Sequence, residues 1–211
     1  MKKQVQFLWK VNGDFSPQDL QKVFLAGHPS DTAQRQQLME EILSLFDCAV
    51  FWHEDIGPLE AIDSTDLDWN LRGMKLFVVV VTSNFLREEN PACSYEYRFA
   101  VENHIPVLPI AMEPGLEETF AQQMEQVGPG YGKIQLLRHE ETSRTEIPYR
   151  QKLFRDLSSI LVPDQTIQKI RNAFSGQIFL SYRKKRPPVC QRTDPADPLH
   201  SGLSAGSDLV R

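Results

Sequence analysis

The chain has 211 residues, 41% of them hydrophobic, and carries 23 Lys and Arg against 28 Asp and Glu, a formal net charge of −5. That length holds one domain of ordinary size with a short extension and a real apolar core, while the acidic balance disfavours a nucleic-acid surface. Cys48, Cys93 and Cys190 show neither metal spacing nor an even-numbered disulfide framework, "MKKQVQFLWKVNGD" lacks the apolar core of a secretory leader, and "LFVVVVT" (76–82) is too short to cross a bilayer. A soluble cytoplasmic protein with no membrane partner is expected.

Strand and helix patterns then alternate. "KVFLAG" (22–27) reads as a first strand ended by Gly27. Ser30 or Asp31 can cap the helix that follows, in which Leu38, Ile42, Leu45 and Phe46 recur on one face. "CAVFW" (48–52) is a second strand, followed by an acidic loop and a short helix around Asp66–Arg72 that ends at Gly73. "KLFVVVVTS" (75–83) is the third strand; four consecutive valines with apolar neighbours suit burial on both faces, as inside a parallel sheet. Asn90 caps and Pro91 opens a helix to about His104. "IPVLPIAM" (105–112) is a fourth strand, which Pro106 and Pro109 place nearer an edge. After the helical "LEETFAQQMEQV", "GKIQLL" (132–137) is a fifth strand, and "IPYRQKLFRDLSSIL" closes the set as a helix. Five strand–helix repeats imply right-handed crossovers and an α/β three-layer sandwich with a five-stranded parallel sheet.

Several fragments imitate known chemistry without meeting its geometry. "GPGYGK" (128–133) has the glycines and lysine of a phosphate loop but precedes a strand instead of following one. "HEDIG" and "HEETS" lack the second histidine of a zinc-protease helix, and Asp63–Asp68 lacks the glycine of a calcium loop, so no metal site is expected. No Gly-x-Ser-x-Gly elbow occurs.

The stretch that carries more is "NFLREENPACSYEYRFAVEN" (84–103). On an α-helix Cys93, Tyr97, Ala100, Val101 and His104 form one apolar face, with Glu96 about 100° from Tyr97 at its margin. In a sheet of order 2-1-3-4-5 the ligand crevice opens where strands 1 and 3 diverge, at their carboxyl ends. The helix after strand 3 begins there, so a carboxylate in its first turn is aimed at the ligand position and favoured by the helix dipole. The plainer reading makes Glu96 a surface glutamate countering that dipole.

"IFLSYRKK" (178–185) resembles the opening strand and loop of Toll/interleukin-1 receptor (TIR) domains, and "LFVVVVTSNFLREENPACSYE" resembles their third strand and following helix, including a Cys-x-x-Glu at Cys93 and Glu96. The repeat over 22–161 is similar to a complete TIR fold, which is flavodoxin-like. The resemblance thus implies a divergent TIR-like domain over 1–161, a helical linker over 162–175, the first strand of a truncated second TIR domain over 176–186, and a disordered tail over 187–211, where proline, serine and glycine leave no periodicity. It also implies a role in intracellular signalling or defence. Some TIR domains cleave NAD at the nicotinamide–ribose bond; others are non-catalytic adaptors that bind other TIR domains or self-associate. A third reading is a small nucleotide-binding or nucleoside-processing domain.

For cleavage, NAD is the substrate, no separate cofactor is expected, and Glu96 is the anion facing an oxocarbenium-like ribose. Gly27, His28, Trp52, Trp69 and Cys93 are the candidate substrate contacts. Gly27 and His28 replace the aromatic and basic residues usual after the family's first strand, and Gly27 lets a ligand approach the backbone. His28 also reads as a loop residue, Trp52 and Trp69 as packing residues, and Cys93 as a small buried hydrophobe. Ala92 stands where the family often has tryptophan, and "HEDIGPLEAIDSTDLDW" lacks the family's Pro-Gly.

Overall fold

The computed structural model describes residues 5–54, 64–87, 90–139 and 148–162. The expected linker, second opening strand and tail lie outside these residues from 163 onward. The described elements are β1 (Gln6–Val11), β2 (Gln21–Gly27), α1 (Thr32–Leu45), β3 (Cys48–Glu54), α2 (Ser64–Arg72), β4 (Leu76–Val81), a π-helical segment (Ala92–Tyr97) continuing into α3 (Arg98–Glu102), β5 (Val107–Ala111), α4 (Glu117–Val127), a 3₁₀ turn (Tyr131–Lys133), β6 (Leu137–Arg138) and α5 (Tyr149–Leu161).

One sheet runs β1-β3-β2-β4-β5-β6. Its five parallel strands keep the flavodoxin-like order expected from the sequence, and β1 adds a sixth, antiparallel to β3 with Gln6 opposite Glu54 and Val11 opposite Ala49. The expectation of five parallel strands is corrected on this point. Alternation puts Phe7, Trp9 and Val11 on one face of β1, but Leu8 between them blurs the period of two. An edge strand of this kind, half-buried or exposed at every position, gives a weak apolar signal.

β4 is buried at all six positions and lies between β2 and β5, as its valines demand. On one face Phe24, Phe51, Phe77 and Val79 meet Leu71 from α2, Tyr97, and Phe120 from α4. On the other Val23, Val50, Val78 and Val80 meet Leu38 and Ile42 from α1 and Leu153 and Leu157 from α5. In α1 the buried residues are Leu38, Met39, Ile42 and Leu43, with Leu45 and Phe46 only half-buried against them. Each fully buried Val, Leu or Phe stabilises by about 1.5–3 kcal/mol relative to exposure.

β5 is the next-to-last strand, nearer an edge as its prolines suggest: Pro109 pairs opposite Val79 of β4, and on the outer side β6 pairs only with Ile110 and Ala111. β6 is shorter than the strand expected over 132–137. Gly130 is left-handed at φ +85°, and Gly132 lies so close to α4 that a Cβ there would sit 2.2 Å from the Ala121 carbonyl oxygen. That approach holds 131–133 in a 3₁₀ turn and delays the strand until Leu137. Among the described residues no helix is long and apolar enough to cross a membrane.

Candidate functional site

β2 pairs with β3 only from Gln21↔Cys48 to Phe24↔Phe51, but with β4 through Gly27↔Val80. Past Phe24 and Phe51 the two strands part. A cavity of about 110 Å³ lies at this fork. Leu25 and Gly27 of β2 and His53 and Glu54 of β3 line it, with Pro29, Thr32 and Arg35 along α1 and Pro91, Ala92 and Glu96 on the helix after β4. The crevice therefore opens one strand away from the expected position between β2 and β4. That position is bridged by Asp31, whose carboxylate accepts from the Thr82 hydroxyl and, at 2.6 Å, from Asn84 Nδ2. Asp31 is the N-cap residue of α1, yet this carboxylate makes no capping bond.

Asn90 caps as expected: its Oδ1 accepts from the Cys93 amide at 2.9 Å, and its Nδ2 donates to the Phe85 carbonyl. The first turns it starts are π-helical, with more residues per turn than an α-helix. This winding keeps Ala92, Cys93, Glu96 and Tyr97 together on the buried side. It also slips the phase of the apolar face expected from α-helical spacing. His104 falls past the helix end, exposed and left-handed at φ +56°. Glu96 is not marginal: it is 3% exposed, so the surface-glutamate reading does not apply to it.

His53 Nδ1 donates to Glu96 Oε1 across 2.8 Å, with both side chains buried. The His53 ring packs against Phe7 and Phe24 at centroid distances of 5.3 and 5.1 Å, and its Nε2 has no partner. An imidazolium would bury an unsatisfied charged N–H there, whereas the neutral Nδ1–H tautomer leaves only a lone pair unmet. The bond to His53 fixes the orientation of the Glu96 carboxylate. Opposite stands Arg35, whose NH1 makes a long 3.4 Å bond to the His53 carbonyl. That carbonyl belongs to the stretch of β3 that does not pair with β2. Gly27 makes room for the guanidinium stem, since a Cβ there would lie 3.0 Å from Arg35 Cγ and Cδ.

The candidate residues separate accordingly. Glu96 and Gly27 line the cavity. His28 sits in the loop below α1, where its Nδ1 accepts from the Ser30 amide at 3.1 Å. Trp52 is half-buried against the α1–α5 core and donates Nε1 to Glu54 Oε2 at 3.2 Å. Trp69 is 79% exposed on α2. Cys93 is buried in the core beside the site, and burial pushes its thiol up to about 11. None of these four lines the cavity. His53 and Arg35 are the additions. His53 had a readable signal: Ala49, Phe51 and His53 share one face of a strand, so the apolar face ends on an imidazole at the carboxyl end, where ligands bind. Arg35 had none, because its role depends on the parting of β2 and β3. No protein-family model matches the chain, and no curated protein matches its sequence.

Proposed function

We propose that this is a TIR-like domain used in intracellular signalling or defence, and that the cavity at the fork cleaves NAD at the nicotinamide–ribose bond. The observation that carries the reading is Glu96, a buried carboxylate lining a cavity at the carboxyl ends of the strands and held by a hydrogen bond to His53. In the reaction the bond between ribose C1′ and the pyridinium nitrogen breaks, and its electron pair neutralises that nitrogen. Nicotinamide therefore leaves without an acid to protonate it. The developing positive charge on the ribose is stabilised by the fixed Glu96 anion. Water then adds to C1′ and loses a proton, giving ADP-ribose. The cavity, at about 110 Å³, is smaller than the roughly 300–1,000 Å³ of whole-ligand pockets. It suits the ribose region of the substrate, with the remainder outside.

The adaptor reading is favoured by a different observation. Trp9 on the open sheet edge and Trp69 on α2 are 51% and 79% exposed, and large exposed aromatics are features of protein interfaces. Incubating the full chain with NAD at dilute and crowded concentrations, and measuring free nicotinamide, separates the two. Release in the crowded sample is expected. Silence in both samples, with self-association intact, leaves the adaptor.

A further inference from the structure

β1 ends the sheet on one side, pairing with β3 along its inner edge and with no described strand along its outer edge. A row of unpaired N–H and C=O groups is a template for another strand unless a proline, a bulge or an inward-pointing charge blunts it. Gln6–Val11 contains no proline or glycine, and its register with β3 runs unbroken from Gln6↔Glu54 to Val11↔Ala49. Its one charge, Lys10, turns to the α1 side, 3.9 Å from Glu40. On the α2 side the same edge carries a knob and a hole. Trp9 is the knob, exposed on the face it shares with Phe7. The hole is a groove of about 600 Å³, lined by residues 5–8 of the edge and by Asp66, Trp69 and Asn70 of α2. Trp9 is not among its walls. Phe7, stacked on Phe51 at 5.2 Å, stands between the groove and the core.

We infer that β1 pairs antiparallel with β1 of a second copy of this chain, about a two-fold axis at Leu8. An axis normal to the sheet keeps both α2 layers on one side, so only residues of the same face stand opposite one another. Centring on Leu8 sets Trp9 of the second copy opposite Phe7, Val11 opposite Val5 and Lys10 opposite Gln6. Each Trp9 then enters the groove beside Phe7 and Trp69 of the other copy, where Asp66 and Asn70 offer acceptors to its indole N–H. No like charges face each other. Centring on Trp9 would set that residue against itself and leave the groove empty, and centring on Lys10 would oppose two cations. The pairing rests on the adaptor reading for its use, and it names the partner and the surface.

Disulfide trapping and sedimentation of the full chain test it. With Cys190→Ser in place, the other native thiols, Cys48 and Cys93, are buried. In that background Leu8→Cys is expected to give a disulfide-linked dimer with oxidised glutathione, because directly opposite Cβ atoms lie about 4.5–5.5 Å apart. Gln6→Cys, which faces Lys10, is expected to give none. Trp9→Ser weakens the dimer at least about tenfold in Kd, as the loss of a buried aromatic anchor does, with an unchanged urea midpoint, and Trp9→Phe falls between. Association unchanged by Trp9→Ser, or trapping through Gln6→Cys and not Leu8→Cys, overturns the pairing and leaves the adaptor reading standing on another surface. A chain that stays monomeric at every concentration overturns the pairing and removes self-association from the adaptor reading as well. A Leu8-trapped dimer that also releases nicotinamide from NAD supports the pairing and removes the non-catalytic reading.

Discussion

His53 reaches Glu96 through one nitrogen and turns the other toward Phe7 and Phe24, so orientation and charge are supplied by different residues. Replacing His53 with leucine leaves the Glu96 carboxylate buried and without that bond, at a cost of about 1–3 kcal/mol in urea unfolding. An unchanged midpoint would contradict the pairing. The thiols give a pH prediction. Burial raises Cys93 from 9.0 to about 11, and burial followed by the neighbouring Asp47 charge raises Cys48 from 9.0 to about 12. Above pH 9 the unfolded chain releases these protons and the folded chain keeps them, so the slope of stability with pH is negative. The contribution is complete below about pH 9 and lost as pH rises through the folded values, so the urea midpoint falls between pH 8.5 and 10.5. Neither thiol is expected to react with an alkylating reagent at pH 8 until the protein unfolds; rapid labelling of native Cys93 would count against its burial. At this scale Glu96 was legible from its place after the third parallel strand. His28, Trp52, Trp69 and Cys93 were not separable from it, because residue type says what a side chain can do and not which way it faces.

The fork is a property of elements. β2 leans on β4 through Gly27↔Val80 and leaves β3 after Phe24, and only a strand ending in glycine lets Arg35 lie across that gap. Gly27→Val places carbon 3.0 Å from the Arg35 stem and 3.1 Å from Val80 Cβ. Overpacking of this kind costs about 1–3 kcal/mol. The variant should unfold at lower urea; an unchanged midpoint would show that the Arg35 stem is not held against Gly27. The order of the parallel strands followed from the alternation of patterns, since crossover handedness and strand adjacency leave few arrangements. The π-helical turn did not follow. Helical spacing assumes a fixed number of residues per turn, and one widened turn shifts every later position, which is why His104 leaves the face assigned to it.

Over the whole molecule, Trp9 and Trp69 are large aromatics left on the surface. Trp9 extends the open edge of the sheet, and Trp69 projects from α2 on the same side as Phe7. Substituting both tryptophans with serine is expected to leave stability within about 0.5 kcal/mol and to lower self-association in sedimentation; a large loss of stability would mean they pack. Edge strands are hard to read because one side of the ladder is left unpaired and their apolar residues are only partly covered, so β1 carries a weak pattern where the fully buried β4 carries a strong one.

The proposed role of Glu96 is that of a fixed anion facing a ribose. Its most direct test is the rate of nicotinamide release from NAD by the full chain and by Glu96→Gln at the same crowded concentration. Measurable release is expected, falling on the order of 100-fold or more in the variant, with circular dichroism unchanged. Equal release by the two proteins would contradict it.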